Sequence, residues 1–275
     1  MAWSMAPSRN PLSKNSVILN ETISISRDAG VWFSNVGASP QAKLRLFCFP
    51  YAGGSDQIFR NWSTNLPRQI EVCPVLLPGR GVRLKTPGYT NLLALVKQIA
   101  HVMCPLLDIP FAFFGHSMGA LMAFELSREL RRLEQPQPLH LFLAAHLPPQ
   151  IPREREPMFD LSTAEIIERM REINGTPTEI LDHPELMEMM MPLLRADFEM
   201  VDTYTYVPDE ALDSPITVLG GLQDRDVTRE SLQQWEKQTT GRFSLRMFPG
   251  DHFFVNTASS IIYQVLGREL FEYIR

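Results

Sequence analysis

The stretch that decides the fold of this chain is Gly115-His116-Ser117-Met118-Gly119, a G-x-S-x-G pentapeptide. A short aromatic run at residues 111–114 precedes it, and apolar residues at helical spacing follow it over residues 120–134. A serine between a strand and a helix is typical of a nucleophile elbow, a sharp turn that exposes the serine hydroxyl. Glycine is expected at both ends of this turn, because side chains there would collide with the neighbouring strand and helix.

Apolar, strand-like runs alternate with segments of helical periodicity from residue 44 onwards. These runs cover residues 44–49, 71–77, 111–114, 139–145, 216–220 and 243–248. A helix over residues 92–103 has a clear apolar stripe and is stopped by Pro105, and Asn256 is a candidate cap for a last helix. The alternation predicts an α/β fold with a mostly parallel, doubly wound sheet.

Two segments depart from this alternation. Residues 1–42 are rich in Ser, Asn and Pro without a sustained period, which predicts a flexible leader before a domain over residues 43–275. The connection over about 147–212 is too long for a simple crossover, and Ser162-Thr-Ala-Glu165 within it is a capping box that opens a helix. Since ligands bind at the carboxyl ends of the strands in such sheets, we expect this insertion to form a helical lid there.

Length, charge and cysteine content limit the possible classes of function. The 275 residues suffice for one large domain, and a net charge of −5 without a basic stripe argues against a nucleic-acid partner. Cys48, Cys73 and Cys104 are widely spaced in apolar segments, so we expect reduced core residues rather than a disulfide or a metal site. Without an apolar span long enough for a membrane or a signal peptide, we expect a cytoplasmic protein, and we expect it to be a monomer.

A serine hydroxyl needs a base to become a nucleophile at neutral pH, and histidine is the usual one. His252 follows a turn after the last predicted strand, in a loop at the carboxyl edge of the sheet, which is the expected position and order. His116 adjoins Ser117, and we expect its side chain to diverge from the serine and line the site. The remaining histidines are expected to be surface or packing residues: His101, His140, His146 and His183.

The acid that orients the histidine should follow the penultimate strand, where Asp224 and Asp226 are both available. Asp224 comes first after the strand and has Val227 three residues on to anchor the loop, so it is preferred, with Asp226 kept as the alternative. Asp251 is adjacent to the histidine and is more suited to fixing the turn.

Two backbone N–H groups are needed to stabilise the oxyanion of an acyl-transfer reaction. One should belong to Met118, directly after the serine, and the other should come from the loop after the first strand. That loop contains Gly53 and Gly54, which free the backbone to approach a substrate, so Ala52 is the candidate donor.

Several motifs occur in a fixed order over residues 44–275, and together they resemble the type II thioesterases. These are stand-alone α/β-hydrolases that accompany nonribosomal peptide synthetases and polyketide synthases. The motifs are Leu46-Phe-Cys-Phe-Pro-Tyr-Ala-Gly-Gly54, Leu77-Pro-Gly-Arg-Gly81, Phe114-Gly-His-Ser-Met-Gly-Ala120, Leu194-Arg-Ala-Asp197 leading to Tyr204 and Tyr206, Gly220-Gly-Leu-Gln-Asp224, and Gly250-Asp-His-Phe-Phe254. The resemblance implies a Ser117-Asp224-His252 triad with Ala52 and Met118 as oxyanion donors.

The same resemblance implies a substrate and partners. The reaction would be hydrolysis of acyl groups stalled on the phosphopantetheine arm of acyl or peptidyl carrier proteins, with no cofactor of the enzyme itself. Tyr51, His116, Met190 and Phe253 are the candidates for contact with substrate. The methionines of residues 184–206 either fill gaps in a core or form a flexible surface that accommodates variable acyl chains.

Other functions stay open on the sequence. An esterase or lipase acting on small molecules would have the same fold, and a product-releasing thioesterase would have the same chemistry. A non-catalytic module that binds carrier proteins is a third alternative, although such a module has no need of a triad. The preferred acyl chain and the partner synthase are not encoded in any of these motifs.

Overall fold

The computed structural model describes residues 30–152, 156–176 and 178–275, and this part of the chain contains one parallel sheet. Its strand order is β2-β1-β3-β4-β5-β6, and each neighbouring pair is parallel. The strands are β1 (Leu44–Phe49), β2 (Ile70–Pro74), β3 (Phe111–His116), β4 (Leu141–Ala144), β5 (Ile216–Gly221) and β6 (Phe243–Phe248). The predicted α/β fold is confirmed.

Helices connect the strands, and most lie where the periodicity predicts them. They are α1 (Trp62–Asn65), α2 (Leu92–Met103), α3 (Met118–Arg132), α4 (Thr163–Glu172), α5 (Thr178–Leu181), α6 (Pro184–Asp202), α7 (Arg229–Gln233), α8 (Phe254–Thr257) and α9 (Ser259–Leu270). The capping box at the start of α4 forms as predicted. Asn256 does not cap the last helix: it lies inside the short helix α8, and Ala258 is the N-cap of α9.

The sheet separates two apolar layers, as a doubly wound fold requires. Successive residues of β1 point to opposite faces, so Leu46 packs in the layer that contains α1 and α9, while Phe47 packs in the layer with α2 and α3. Strand β2 lies on one side of β1, and β3 and the later strands lie on the other side. The strand order therefore reverses between β1 and β3, at the carboxyl ends of these two strands. Such a switch point opens a crevice suited to a ligand.

Residues 30–42 belong to the fold, and the predicted leader is wrong for this part. Trp32 and Phe33 are 6% and 2% exposed, and both pack in the main core. Phe33 forms an antiparallel bridge with Val75, and the N–H of Leu76 donates to the Trp32 carbonyl at 2.7 Å. Two aromatic side chains thus anchor a polar segment that shows no periodicity. Residues 1–29 lie outside the described residues.

The cysteines lie largely in the interior, as expected for core residues. Cys48 and Cys73 are buried in β1 and β2, and Cys104 is half-buried after α2. Burial raises the pKa of all three thiols, which keeps them protonated and unreactive at neutral pH. None of the helices in the described ranges is long and apolar enough to cross a membrane.

The insertion between β4 and β5 forms a helical layer with a small core of its own. Side chains of the turn before α4 and of α4, α5 and α6 supply this core: Met158, Ile166, Met170, Leu181, Met187, Met191, Leu194 and Phe198. Further along α6, Met200 and Val201 pack in the main core instead. The single helix α6 therefore contributes side chains to both the core of the insertion and the main core.

Candidate active site

The turn at Ser117 has the geometry of a nucleophile elbow. Ser117 adopts φ 54° and ψ −117°, and its N–H donates to the Ala144 carbonyl at 2.7 Å. A Cβ added to Gly115 would lie 2.1 Å from the Gly119 carbonyl oxygen, and one added to Gly119 would lie 2.1 Å from the Phe49 carbonyl oxygen. Both positions therefore require glycine, because β3 and α3 approach each other and β1 too closely for a side chain.

The structure brings Ser117, His252 and Asp224 together in one chain of hydrogen bonds. His252 Nε2 lies 3.0 Å from Ser117 Oγ, and its Nδ1 lies 2.8 Å from Asp224 Oδ2. A carboxylate only accepts, so the Nδ1 proton of His252 faces Asp224 and Nε2 is left to accept the serine proton. The other oxygen of Asp224 accepts from the N–H groups of Asp226 and Val227, at 3.0 and 3.1 Å.

The two alternative carboxylates have other partners. Asp226 binds the guanidinium of Arg169 in the insertion, at 3.0 Å. Asp251 accepts from the N–H of Phe253 at 2.9 Å, which closes the turn as expected, and from Nδ2 of Asn174 in the insertion at 2.9 Å. Asp224 is therefore the carboxylate that orients His252.

His116 does not line the site, and that expectation is wrong. Its ring is fully buried and packs against Tyr51 and Phe254, while Nε2 donates to the His252 carbonyl at 2.8 Å. Burial lowers the pKa of His116 to about 3, so the ring is neutral. The ring diverges from Ser117, as predicted, but it supports the backbone of the histidine loop from behind.

The loop after β1 approaches Ser117 through a tight turn. The Gly54 N–H donates to the Tyr51 carbonyl at 2.9 Å, and Gly53 adopts a φ of 75°, in the left-handed region that favours glycine. Ala52 lies in this turn and lines the same cavity as Ser117 and Met118. Met118 is the first residue of α3, where backbone N–H groups have no partner within the helix.

A buried ion pair lies behind this turn, and the sequence analysis did not predict a role for either of its residues. Arg80 is 7% exposed and Asp197, on α6, is fully buried. The guanidinium binds both carboxylate oxygens, at 2.7 and 2.8 Å, and the same carboxylate accepts from the Gly53 N–H at 2.7 Å. The signal in the sequence that points to this pair is that each residue lies in one of the family motifs, Leu77–Gly81 and Leu194–Asp197.

The triad opens into a cavity of about 780 Å³ beneath the insertion. Tyr51, Met190 and Phe253 line it, as expected for candidate substrate contacts. His146, expected to be a packing residue, also lines it. Much of the remaining wall is apolar and comes from the insertion: Met158, Met170, Ile173, Leu194, Phe198 and Val201.

Some methionines of α6 fill gaps in a core, and one contributes to the surface of the cavity. Met190 faces the cavity, whereas Met187 and Met191 fill the core of the insertion and Met200 fills the main core. Met189 is 57% exposed. Gap filling thus explains most of these residues, and Met190 is the one that contributes a flexible thioether to the cavity wall.

Comparison with known proteins identifies the family of this chain. The thioesterase domain family matches residues 44–268. The gramicidin S biosynthesis protein GrsT of Aneurinibacillus migulanus is 43% identical over 239 residues, which cover 87% of this chain and 93% of that protein.

Solved structures give the same result. The RedJ thioesterase of the prodiginine pathway in Streptomyces coelicolor is 36% identical with a TM-score of 0.79, over 83% of this chain and 86% of that one. The type II thioesterase BorB of the borrelidin cluster is 31% identical with a TM-score of 0.79, over 89% of this chain and 98% of that one. The chain therefore belongs to the thioesterase family: it is a type II thioesterase, a thioester hydrolase with the α/β-hydrolase fold.

Proposed function

We propose that this enzyme removes acyl groups from the phosphopantetheine arm of carrier proteins in nonribosomal peptide or polyketide synthesis, and so regenerates stalled synthases. The observation that carries the proposal is the Ser117–His252–Asp224 chain at the base of a largely apolar cavity. The relatives named above take part in gramicidin S, prodiginine and borrelidin biosynthesis, which supports this class of substrate.

In the acylation step, Ser117 Oγ attacks the thioester carbonyl while its proton moves to His252 Nε2. The carboxylate of Asp224 stabilises the imidazolium that forms. The N–H groups of Ala52 and Met118 donate to the oxyanion of the tetrahedral intermediate. The C–S bond then breaks, and the departing thiolate takes the proton from His252 to leave a free phosphopantetheine thiol.

In the deacylation step, water replaces the thiol. His252 Nε2 accepts a proton from the water as its oxygen attacks the acyl carbonyl of the ester on Ser117. Collapse of this second intermediate breaks the bond to Oγ, which recovers its proton from His252. The carboxylic acid leaves, and the starting state of the triad is restored.

The cavity holds the acyl chain during both steps. Much of its apolar wall comes from the insertion, so we propose that residues of about 147–212 act as a lid over the domain that carries the triad. Apolar side chains there exclude water from the acyl group and retain chains of different shape. The phosphopantetheine arm comes with the substrate, so the reaction needs no cofactor bound to the enzyme. We further propose that the enzyme acts as a monomer in the cytoplasm.

The test uses purified protein and carrier proteins loaded with short and long acyl groups. We expect hydrolysis of these thioesters to exceed that of simple oxygen esters, and we expect Ser117→Ala to abolish both the reaction and labelling by a fluorophosphonate probe. The exposed Ser260→Ala variant on α9 is the control and should retain both.

Each other outcome identifies a different function. A preference for oxygen esters would point to a small-molecule esterase. Rapid release of complete products with little action on misprimed acyl groups would point to a product-releasing thioesterase. A folded wild-type protein that binds carrier proteins but is not labelled at Ser117 would point to a binding module.

A further inference from the structure

The buried ion pair between Arg80 and Asp197 joins the helical insertion to the loop that carries Ala52. Arg80 follows β2 and Asp197 lies on α6, so two separate parts of the chain supply the charges. Besides the bidentate contact with Asp197, Nη1 of Arg80 donates to the Gly54 carbonyl at 2.9 Å. Oδ2 of Asp197 also accepts from the Gly53 N–H at 2.7 Å.

These contacts fix two groups of the loop backbone. Asp197 binds the peptide N–H that directly follows Ala52, and Arg80 binds the carbonyl of Gly54. The Leu194 side chain lies over Gly53 on the same side, so near that a Cβ on this glycine would lie 2.7 Å from it. Helix α6 therefore orients the Ala52–Gly53 peptide, which directly follows the Tyr51–Ala52 peptide that carries the Ala52 N–H.

A contribution to the stability of the fold does not by itself explain why these two charged side chains are buried. Burying both charges carries a desolvation penalty that their attraction only partly offsets, and well-packed apolar side chains of similar volume often serve stability equally well. Apolar side chains, however, cannot accept a hydrogen bond from the Gly53 N–H or donate one to the Gly54 carbonyl. The ion pair is therefore needed for its contacts with the loop that carries Ala52, which we call the oxyanion loop.

We propose that Asp197 and Arg80 are positioning residues that orient the oxyanion donor at Ala52, and that they do so only while α6 is seated over the cavity. The inference rests on the proposed function through the role of Ala52. It adds that the insertion is part of the catalytic geometry as well as a cover for the acyl chain. Displacement of α6 removes the hydrogen bond to Gly53 and releases the loop.

The main test variant is the double substitution Arg80→Met with Asp197→Leu, which removes both charges and leaves neither unpaired. We expect kcat for an acyl thioester to fall about 10²- to 10³-fold, as for loss of one oxyanion donor, while KM changes less than about threefold. Thermal unfolding of the variant should be close to that of the wild type. If the double variant does not fold, Asp197→Asn preserves the volume and can still accept from Gly53, but it replaces one of the two oxygens that bind Arg80, the residue that donates to the Gly54 carbonyl. We expect kcat of this variant to fall about tenfold.

Inhibitor binding separates positioning from general damage. A trifluoromethyl ketone carrying the acyl chain forms an oxyanion adduct with Ser117, whereas the matching thioether analogue binds without forming one. Affinity for the ketone should fall with kcat, and affinity for the thioether should not change. Equal losses for both ligands, or a kcat within threefold of the wild type in the folded double variant, would overturn the proposal.

The chain offers a matched control in Arg45 and Glu71, a buried ion pair in β1 and β2 at 2.9 Å. This pair makes no contact with the oxyanion loop, so Arg45→Met with Glu71→Leu should leave kcat and ketone affinity unchanged. Adduct formation requires Ser117 but no carrier protein. A wild type that forms the adduct without hydrolysing carrier thioesters would count against the proposed substrate alone, and the positioning test would still be decided by the adduct.

Discussion

Arg169 of the insertion donates through Nη2 to both carboxylate oxygens of Asp226, at 3.1 and 3.0 Å. Two residues earlier in the same loop, Asp224 binds His252. One short loop after β5 thus presents one carboxylate to the histidine and another to the insertion. Together with the contacts of Asp197 to Gly53 and of Asn174 to Asp251, the loops that carry Ala52, Asp224 and His252 each bind a residue of the insertion.

The division of roles between Asp224 and Asp226 gives the first prediction. Asp224→Asn removes the charge that stabilises the imidazolium and disturbs the tautomer of His252, so kcat should fall by about 10³- to 10⁴-fold. Asp226→Asn breaks only a half-exposed ion pair and should lower kcat by less than about fivefold. Steady-state kinetics on one acyl thioester compares the two variants, and similar losses in both would contradict the assignment.

The sequence predicted those features that arise from local sterics or from order along the chain. The glycines at positions 115 and 119 are required by contacts within a few residues and with one neighbouring strand, and the triad follows the order of the strands. The pairing of Arg80 with Asp197 joins residues separated by 117 positions, with no periodicity to relate them. The anchoring role of Trp32 was missed for the same reason, because one aromatic pair in a polar segment has no repeat.

Anchoring of residues 30–42 gives the second prediction. Phe33→Ala removes a buried ring from the main core, which should lower the free energy of unfolding by about 3 kcal/mol. Val31 is half exposed two residues before it, and Val31→Ala should change this free energy by less than about 0.5 kcal/mol. Urea denaturation followed by tryptophan fluorescence measures both variants. A stable Phe33→Ala protein would mean that this segment contributes little to the fold.

The steric demands of the elbow give the third prediction. A methyl group at Gly119 would lie 2.1 Å from a backbone oxygen of β1, so Gly119→Ala should prevent native folding or displace the elbow and abolish activity. Gly267, in α9, is the control: the nearest atom to an added Cβ is 3.8 Å away, and Gly267→Ala should raise stability by about 0.5–1 kcal/mol through helix propensity. Circular dichroism melting curves distinguish these effects, and a native-like, active Gly119→Ala protein would refute the steric argument.

The position of Met190 gives the fourth prediction. Met190→Trp fills part of the cavity, so kcat/KM for long acyl chains should fall about 10- to 100-fold relative to that for acetyl. The neighbouring Met189 is exposed to solvent, so Met189→Trp should leave this ratio unchanged. Carrier proteins loaded with acyl groups of increasing length provide the measurement. A change in selectivity for the Met189 variant alone would place the acyl chain elsewhere.

Buried histidines give the fifth prediction, a loss of stability in mild acid. Burial lowers the pKa of His116 to about 3 and that of His140 to about 4, from an ordinary value near 6.5. Below pH 6.5 the unfolded chain gains protons that the folded protein does not bind, so stability is present at neutral pH and falls with acidification. Each histidine should reduce the free energy of unfolding by roughly 1.4 kcal/mol per pH unit until its folded pKa is reached.

A variant of His140 isolates one of the two contributions without touching the triad. His140 Nε2 contacts Thr217 Oγ1 at 2.8 Å, and its buried Nδ1 has no hydrogen-bond partner among the described residues. His140→Gln can keep the contact with Thr217 but does not titrate, so the slope of stability between pH 6.5 and 5 should decrease by roughly 1.4 kcal/mol per pH unit. Urea denaturation at several pH values measures the slope. An unchanged slope in this variant would show that the pKa of His140 is not lowered by folding, because a histidine couples folding to pH only when its pKa differs between the folded and unfolded states.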